Sequence, residues 1–340
     1  MQCDKMLKLC TRLHARNLKK CNLILNDEEA IWSKWNSITL SGYKNQWIHK
    51  VSTYIIVTCQ SDKKNQNFYT EKYGVVHPTK AGLKIPQMFD AAINKEVKAV
   101  WIIGEDIVQT DPNSAHVVDA MNSLELLVVQ EIFMSETAKL ATVVLPGTTF
   151  LEKDGTFTNT ERRIQRVNKA VPPLPGTKPD GVIVTDMMQK LGFDQPTYDA
   201  DQVLAEIADV VPFFKGVTRE RLGKFGLQWP VQEDGTDTQI LHKETFKLGK
   251  GRLKSFDFKE STEIETNQKD YPLILTTSRV LQHYNAATMT RRTSNINIVS
   301  EDVLLIHPKD AKKRDLNTGD IGRLYSGRGE VALKVEVTDK

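Results

Sequence analysis

Residues 143–167 read VVLPGTTFLEKDGTFTNTERRIQRV. The stretch opens at the end of an apolar, largely β-branched run, Ala141, Thr142, Val143, Val144 and Leu145, which is the composition of a buried strand. Pro146 and Gly147 stop that strand. The polar loop that follows is predicted to turn at Asp154–Gly155, and it ends in a basic cluster of Arg162, Arg163 and Arg166. In an open α/β sheet, ligands sit outside the carboxyl ends of the strands. A loop of this composition there offers hydroxyls, an amide and fixed cations to a polar, anionic ligand. The same composition also suits a solvated surface loop.

Two further apolar runs precede this one. Val97–Ile103 and Leu124–Ile132 read as buried strands, with helices predicted over Gln87–Lys95, His116–Ser123 and Glu136–Leu140. Strand, helix, strand, short helix, strand with short links predicts a parallel sheet built from βαβ units. Each strand runs into residues suited to ligands. The first leads into Gly104, Glu105 and Asp106. The glycine permits close backbone approach and the acids accept hydrogen bonds from a base or ribose, although a plain turn with two solvated acids has the same sequence. The second places Gln130 and Glu131 at its carboxyl end, and Ser135, Glu136 and Thr137 then open the short helix, whose free amides are expected to face an anion.

Downstream, Val171–Pro179 (VPPLPGTKP) is an extended crossing that delivers Asp180 to the start of a helix ending at Leu191–Gly192. Asp180 is a candidate N-cap. A second helix is predicted over Asp201–Val211 with Val203, Ile207 and Val210 inward, and a short one over Thr218–Leu222. Lys247–Ser255 is basic and glycine-broken but lacks the spacing of a phosphate-cradling loop. After a polar, acidic boundary at Glu260–Asp270 come predicted strands at Tyr271–Thr277, Val303–Ile306, Ile321–Tyr325 and Glu330–Val337. Between them lies a basic, hydroxyl-rich segment through Arg292. There Arg279 and Arg291 suit bidentate pairing with anionic oxygens, Thr277, Ser278, Thr288 and Thr290 offer hydroxyls to the edges of a polar ligand, and His283 can donate one hydrogen bond. Surface ion pairs for the arginines and a packed, satisfied histidine are the competing reading.

The chain has 340 residues, 40% apolar and 26% charged, enough for two domains with their own cores. A net charge of +3 is too small to point to nucleic acid as a partner. No apolar run reaches the length of a membrane span, and the basic first residues lack the continuous apolar core of a secretory signal, so a cytoplasmic location is expected. The four cysteines, Cys3, Cys10, Cys21 and Cys59, are too widely spaced for a cluster or zinc motif and read as reduced thiols. Residues 1–67 match no pattern, though Lys50–Thr58 reads as a strand, Ser61–Asn67 as a polar linker, and Trp32, Trp35 and Trp47 as core or interface residues. Tyr69–Pro86 reads as an extended loop.

The string from Ala141 to Gln165, with LP, EK, GTFTN and ERR at these spacings, resembles the molybdopterin-dependent oxidoreductases, especially the catalytic subunit of formate dehydrogenase. The resemblance runs from about Phe68 to the end of the chain. It is closest over Trp101–Pro112, Glu136–Val167, Gly226–Pro230 and Thr276–Arg292. It implies an α/β fold: a parallel-sheet dinucleotide-binding domain over 68–265, followed by a β-barrel pterin-binding domain over 266–340 that is expected to be truncated. The cofactor it implies is a molybdopterin guanine dinucleotide, carrying molybdenum or tungsten in the complete enzyme, which oxidises formate to carbon dioxide. Carried over residue by residue, the cofactor-binding positions are Gly104, Glu105, Asp106, Gln130, Glu136, Thr137, Lys153, Asp180, Thr277, Ser278, Arg279, His283, Thr288, Thr290 and Arg291. Asp180 stands where the family recognises the guanine.

The departures from the family pattern are specific. Asp106 stands where the family usually has Asn, Ser278 where it has Gly, and Asn285-Ala286-Ala287 where it commonly has His-Thr-Gly. No cysteine sits in the context of the family's metal ligand, and no iron–sulfur motif is present. The chain is therefore expected to hold no catalytic residue or cluster of its own. It would need other subunits, or a chain supplying the missing half, to turn over. The alternative is a non-catalytic remnant that binds a guanine dinucleotide or a partner.

Overall fold

The computed structural model describes residues 63–74, 82–246, 249–251, 253–259, 269–327 and 329–339. The expectations for the Lys50–Thr58 strand, the three N-terminal tryptophans, the four cysteines and the 260–268 part of the acidic boundary lie outside the described residues. The described residues form two compact units, the first within residues 63–108 and 116–243, the second 109–115 and from 244 on.

In the first unit, α1 covers Lys63–Tyr73. This corrects two expectations, since residues 63–67 of the polar linker and 69–73 of the extended loop are helical. Sequence polarity hides the cause, which is a single buried residue. Tyr69 is 3% exposed, its hydroxyl donates to the Val210 carbonyl at 2.9 Å, and Tyr73 stacks on its ring. A short polar helix gains its stability from such tertiary packing rather than from propensity. α2 covers Ile85–Ile93, with the Gln87 side chain accepting from the Lys84 amide, and it buries Met88, Phe89, Ala91 and Ala92.

The predicted parallel sheet is present. β1 is Ala99–Ile103, β2 Leu126–Glu131 and β3 Val143–Pro146, in the order β1-β2-β3. Their register sets Gln130 beside Ile103 on one side and Leu145 on the other. The links hold α3 (Ile107–Thr110), α4 (Ser114–Asn122) and α5 (Glu136–Lys139). One face of the sheet buries Val100, Ile102, Leu127 and Val129 with Phe89, Val117 and Met121. The other buries Trp101, Val128 and Leu145 against Ile183 of α6, Asp180–Lys190. Strands covered on both faces read as continuous apolar runs, which is why composition located them.

The stretch after β3 departs from its predicted form. It is a hairpin, with β4 at Gly155–Thr158 antiparallel to β5 at Arg163–Val167, and β6 (Leu227–Gln228) on the outer edge of β5. The chain reverses over Asn159–Arg162, not at Asp154–Gly155. Asn159 makes the turn, because its side-chain oxygen accepts from the amides of Glu161 and Arg163 at 3.0 Å each. Ile164 is fully buried in a second core with Leu204, Val210, Phe214 and Leu222. α7 (Ala200–Val210) starts at Asp199, which caps Asp201 and Gln202, and its buried residues are Leu204, Ala208 and Val210. Val203, expected inward, is 37% exposed. α8 (Arg219–Leu222) is capped by Thr218.

In the second unit, β7 (Val303–Ile306) lies parallel to β9 (Gly329–Val337), and β8 (Ile321–Ser326) is antiparallel to β9, in the order β7-β9-β8. α9 (Pro308–Lys313) links β7 to the following turn. Gly322 is required at its place, since a Cβ there would lie 2.9 Å from Val335 Cγ2. The expected strand at Tyr271–Thr277 is not formed, and Leu273, Ile274 and Leu275 are 53%, 78% and 60% exposed. Strand preference is a preference for packing against a paired neighbour, and no described strand pairs with this run. The strands of this unit form an open sheet, and no closed barrel is present among the described residues. No described helix is long and apolar enough to cross a membrane.

Candidate functional site

The carboxyl end of β1 turns through Gly104, whose φ of +65° is a left-handed value and whose amide donates to the Gln130 carbonyl at 2.8 Å. Glu105 is half-buried beyond it. Asp106 is 4% exposed, and its carboxylate accepts from the Thr137 amide at 2.9 Å, the Thr137 hydroxyl at 2.7 Å and the Glu136 amide at 3.2 Å. The Thr137 hydroxyl in turn accepts from the Val108 amide at 3.1 Å. The amides of α5 that were expected to face a bound anion therefore face the chain's own carboxylate. Asp106, Glu136 and Thr137 form an internal clamp between the ends of β1 and β2.

A second constellation gathers at the ends of β2 and β3. Gln130 is fully buried, and its side-chain amide donates to Asp180 Oδ1 at 2.7 Å. Lys153 Nζ pairs with Asp180 Oδ2 at 2.5 Å and lies 3.3 Å from the Thr148 carbonyl. Both side chains are largely withdrawn from solvent, at 18% and 17% exposure. Helix α6 begins at Asp180 with Pro179 as its N-cap, and no side chain caps it. The Asp180 carboxylate is thus not spent on helix amides, as the capping reading expected, but on Gln130 and Lys153. A Cβ at Gly147 would crowd this arrangement, sitting 3.1 Å from Asp180 Oδ1.

Two buried polar atoms in this region, Gln130 Oε1 and Thr148 Oγ1, have no partner within the protein. Each such atom costs on the order of 1–3 kcal/mol unless a ligand or ordered water satisfies it. Beside Lys153 and Asp180 opens a cleft of about 120 Å³, walled by Phe157 of β4, Pro179, Gly181, Tyr198 and Leu204 of α7. Tyr198 lies so close over Gly181 that a Cβ there would fall 2.1 Å from its ring. Burial, then the nearby carboxylates of Asp180, Asp199 and Asp201, push the Tyr198 hydroxyl up from its ordinary value, so the ring stays neutral.

The crossing that brings Asp180 here is itself pinned. Glu152 is 6% exposed and accepts from the Thr149 amide, the Thr149 hydroxyl and the Leu174 amide, all at 2.8 Å. Those bonds, the Thr149 amide first, hold its carboxyl below the usual range. Beyond it, Lys178 bridges in parallel to Gly147. The arginine cluster takes no part. Arg162, at φ +68°, donates to the backbone carbonyls of Trp229, Thr238 and Gln239, while Arg163 pairs with Glu161 and Arg166 with Asn168. Three carbonyl acceptors fix Arg162 as an internal brace of the hairpin.

In the second unit, Thr277, Ser278 and Arg279 are exposed on the irregular segment, with Arg279 bonded to Asn285 Oδ1 at 2.8 Å. His283 has both ring nitrogens engaged. Nε2 lies 2.7 Å from the Val299 carbonyl and must carry the proton, and Nδ1 lies 3.1 Å from the Thr290 hydroxyl. Thr290 also accepts from the Tyr284 amide at 3.3 Å. His283 and Thr290 thus close the loop on itself. Thr288 is half-buried and gives its carbonyl to Arg292 Nε. Arg291 pairs with Asp302 at 2.7 Å and keeps its Nε buried without a partner. Asn285 and Ala287 both adopt left-handed backbone, at φ +49° and +60°. Asn tolerates that region and Ala does not, so Ala287 holds strain at the place where the resembled family has Gly.

Sequence reasoning had named Gln130, Lys153 and Asp180 separately, and the fold brings them into contact. It missed Thr148, Glu152, Gly147 and Tyr198, of which only Glu152 and Gly147 lie in recognisable dipeptides. No group of three or more His, Cys, Asp or Glu side chains among the described residues is arranged to hold a metal ion. The cleft runs beside a two-oxygen acceptor, which suits a ligand edge that offers paired N–H groups.

Residues 12–190 match the family model for molybdopterin oxidoreductases, and residues 273–340 match that for the molydopterin dinucleotide binding domain. The chain is 43% identical over 263 residues to the F420-dependent formate dehydrogenase subunit alpha of Methanocaldococcus jannaschii, covering 76% of this chain and 39% of that protein. It is 39% identical over 287 residues to the F420-dependent formate dehydrogenase 1 subunit alpha of Methanococcus maripaludis, covering 82% and 42%. The chain thus spans about two fifths of the length of these relatives. Among solved structures, acetylene hydratase from Pelobacter acetylenicus superposes with a TM-score of 0.53 at 20% identity, over 76% of this chain and 38% of that one, a likeness of fold alone. Sequence, strand-end geometry and family match converge, and the chain belongs to the molybdopterin oxidoreductase family.

Proposed function

We propose that this chain is the part of a formate-oxidising enzyme that holds a molybdopterin guanine dinucleotide. The observation that carries the reading is the contact of Gln130, Lys153 and Asp180 at the ends of β2 and β3, with buried polar atoms still lacking donors. Guanine presents two adjacent N–H groups, and a carboxylate accepts both. Asp180 is the acceptor in this reading. Gly104 lets the backbone approach the ribose and Glu105 accepts from its hydroxyls. Asp106, Glu136 and Thr137 keep the two strand ends in register without touching the ligand.

In the second unit, Arg279, Thr277 and Ser278 are exposed and bind the diphosphate and pterin edges, with Arg291 and Thr288 beside them. His283 and Thr290 shape that loop from within. The open sheet of β7, β8 and β9 is part of the pterin-domain barrel in this reading. When bound, the pterin-held molybdenum or tungsten supplies the two-electron chemistry for oxidation of formate to carbon dioxide. Partner subunits complete the enzyme in this reading, in the cytoplasm. The kinship with formate dehydrogenase alpha subunits favours this reading over a binding protein without turnover.

The test is anaerobic purification from cells supplied with molybdate and tungstate, followed by metal analysis, pterin fluorescence and identification of the nucleotide released by acid. Recovery of a pterin that releases GMP supports the reading. A pterin that releases CMP overturns the guanine assignment, and no pterin at all overturns the cofactor-holding role.

A further inference from the structure

The geometry points to Lys153 as a displaceable latch that competes with the purine edge for Asp180. The inference rests on the base-recognising role proposed for Asp180 and adds to it the residue that sets how tightly the base is held.

Asp180 has two neighbours on its carboxylate, and they differ in their freedom to leave. Gln130 is fully buried at the end of the central strand, in register with Ile103 and Leu145, and its amide nitrogen is fixed 2.7 Å from Oδ1. Lys153 is a long, flexible side chain on the wall of the cleft, and its second contact, to the Thr148 carbonyl, is long at 3.3 Å. Gly147 leaves room beside Oδ1, since a Cβ there would stand 3.1 Å from it. The cleft opens beside this pair, and Lys153 and Asp180 both line it. A base that offers two parallel N–H donors satisfies both carboxylate oxygens and takes the place of the ammonium on Oδ2. A base without such a pair leaves the ion pair with Lys153 the better partner. Lys153 therefore weakens the binding of any base that must displace it from Oδ2, since that base has to outbid a charge-assisted bond.

The experiment is titration of the whole chain with guanosine, inosine and adenosine, which carry no phosphate for Lys153 to attract, in wild type, Lys153→Met and Asp180→Asn. Guanosine is expected to bind about fivefold more tightly to Lys153→Met than to wild type, about 1 kcal/mol for a partly screened ion pair that no longer competes. Inosine, which lacks one donor and does not displace the ammonium, should gain less than guanosine in the same variant, and Asp180→Asn should lose the preference for guanosine. A second measurement stands on wild type alone: the side-chain NMR signal of Lys153 should move on addition of guanosine and stay still with adenosine. Unchanged or weaker guanosine binding by a folded Lys153→Met, or a static Lys153 signal while guanosine binds, overturns the latch and leaves the base reading in place. Wild type that does not prefer guanosine to adenosine overturns the base reading, and the latch with it.

Discussion

Replacing Asp106 separates structural from ligand-binding use of the strand ends. Its buried carboxylate meets three donors: the Thr137 amide, the Thr137 hydroxyl and the Glu136 amide, between 2.7 and 3.2 Å. A buried donor left without its acceptor costs about 1–3 kcal/mol, and bonds to a charged group lie at the upper end. Asp106→Ala strips all three, and water entering the space recovers part of the loss, so a destabilisation of about 3 kcal/mol is expected. Asp106→Asn keeps one oxygen for Thr137 but turns an NH₂ group towards the Glu136 amide, which should cost about 1.5 kcal/mol. Urea titration followed by far-UV circular dichroism reads both, with the slope unchanged. Amide hydrogen exchange at Glu136 and Thr137 gives the local readout, and both protons should exchange faster in each variant. An Asp106→Asn chain as stable as wild type, with those amides still protected, would show that the clamp does not bear on the fold. Loss of nucleotide binding from a fully stable Asp106→Asn would show instead that Asp106 touches the ligand.

Three further outcomes follow from contacts described above. Gly181→Ala puts a methyl 2.1 Å from the Tyr198 ring, so the ring must move; overpacking should cost about 1–3 kcal/mol, and a titration with guanosine should show the cleft disturbed, whereas an unshifted melting curve would refute the packing. Arg162→Ala leaves three carbonyls without their donor and should destabilise the hairpin by about 2 kcal/mol, with guanosine affinity unchanged; a chain that keeps its stability but loses affinity would return the arginine to the ligand site. The Glu152 carboxyl is held below its ordinary value by the Thr149 and Leu174 amides. Its stabilisation is therefore complete above the unfolded value near 4.3 and is lost as pH falls through the lower folded value. Urea midpoints taken from pH 6 down to pH 3 should fall less steeply in Glu152→Gln than in wild type, and parallel curves would refute the assignment.

Much of the first unit was legible because its signal is local. Val97–Ile103, Leu124–Ile132 and Ala141–Leu145 are apolar runs that only a sheet covered on both faces makes use of, and the residues between them are too few for anything but short crossings. The hairpin was hidden in the polar string GTFTNTERRIQRV, since its one fully buried residue, Ile164, gives no period of its own. α1 was hidden in the same way behind Tyr69. The run YPLILTT erred in the opposite direction, for it has the composition of a strand and no described partner.

What the sequence determined by itself is the family, the parallel order of the strands and the kinds of side chain at their carboxyl ends. These follow from short-range pattern and from residue spacing within a few turns of chain. The tertiary structure alone decided which of those side chains meet. Asp180 lies 50 residues from Gln130 and 27 from Lys153, and it reaches both only because Glu152 and Gly147 pin the crossing beside β3. Tertiary contact likewise turned Asp106 inward onto α5, closed His283 on Thr290 and Val299, and spent Arg162 on backbone carbonyls. A charged or polar side chain takes the nearest partner that offsets its desolvation, and its nearest partner is a property of the folded chain.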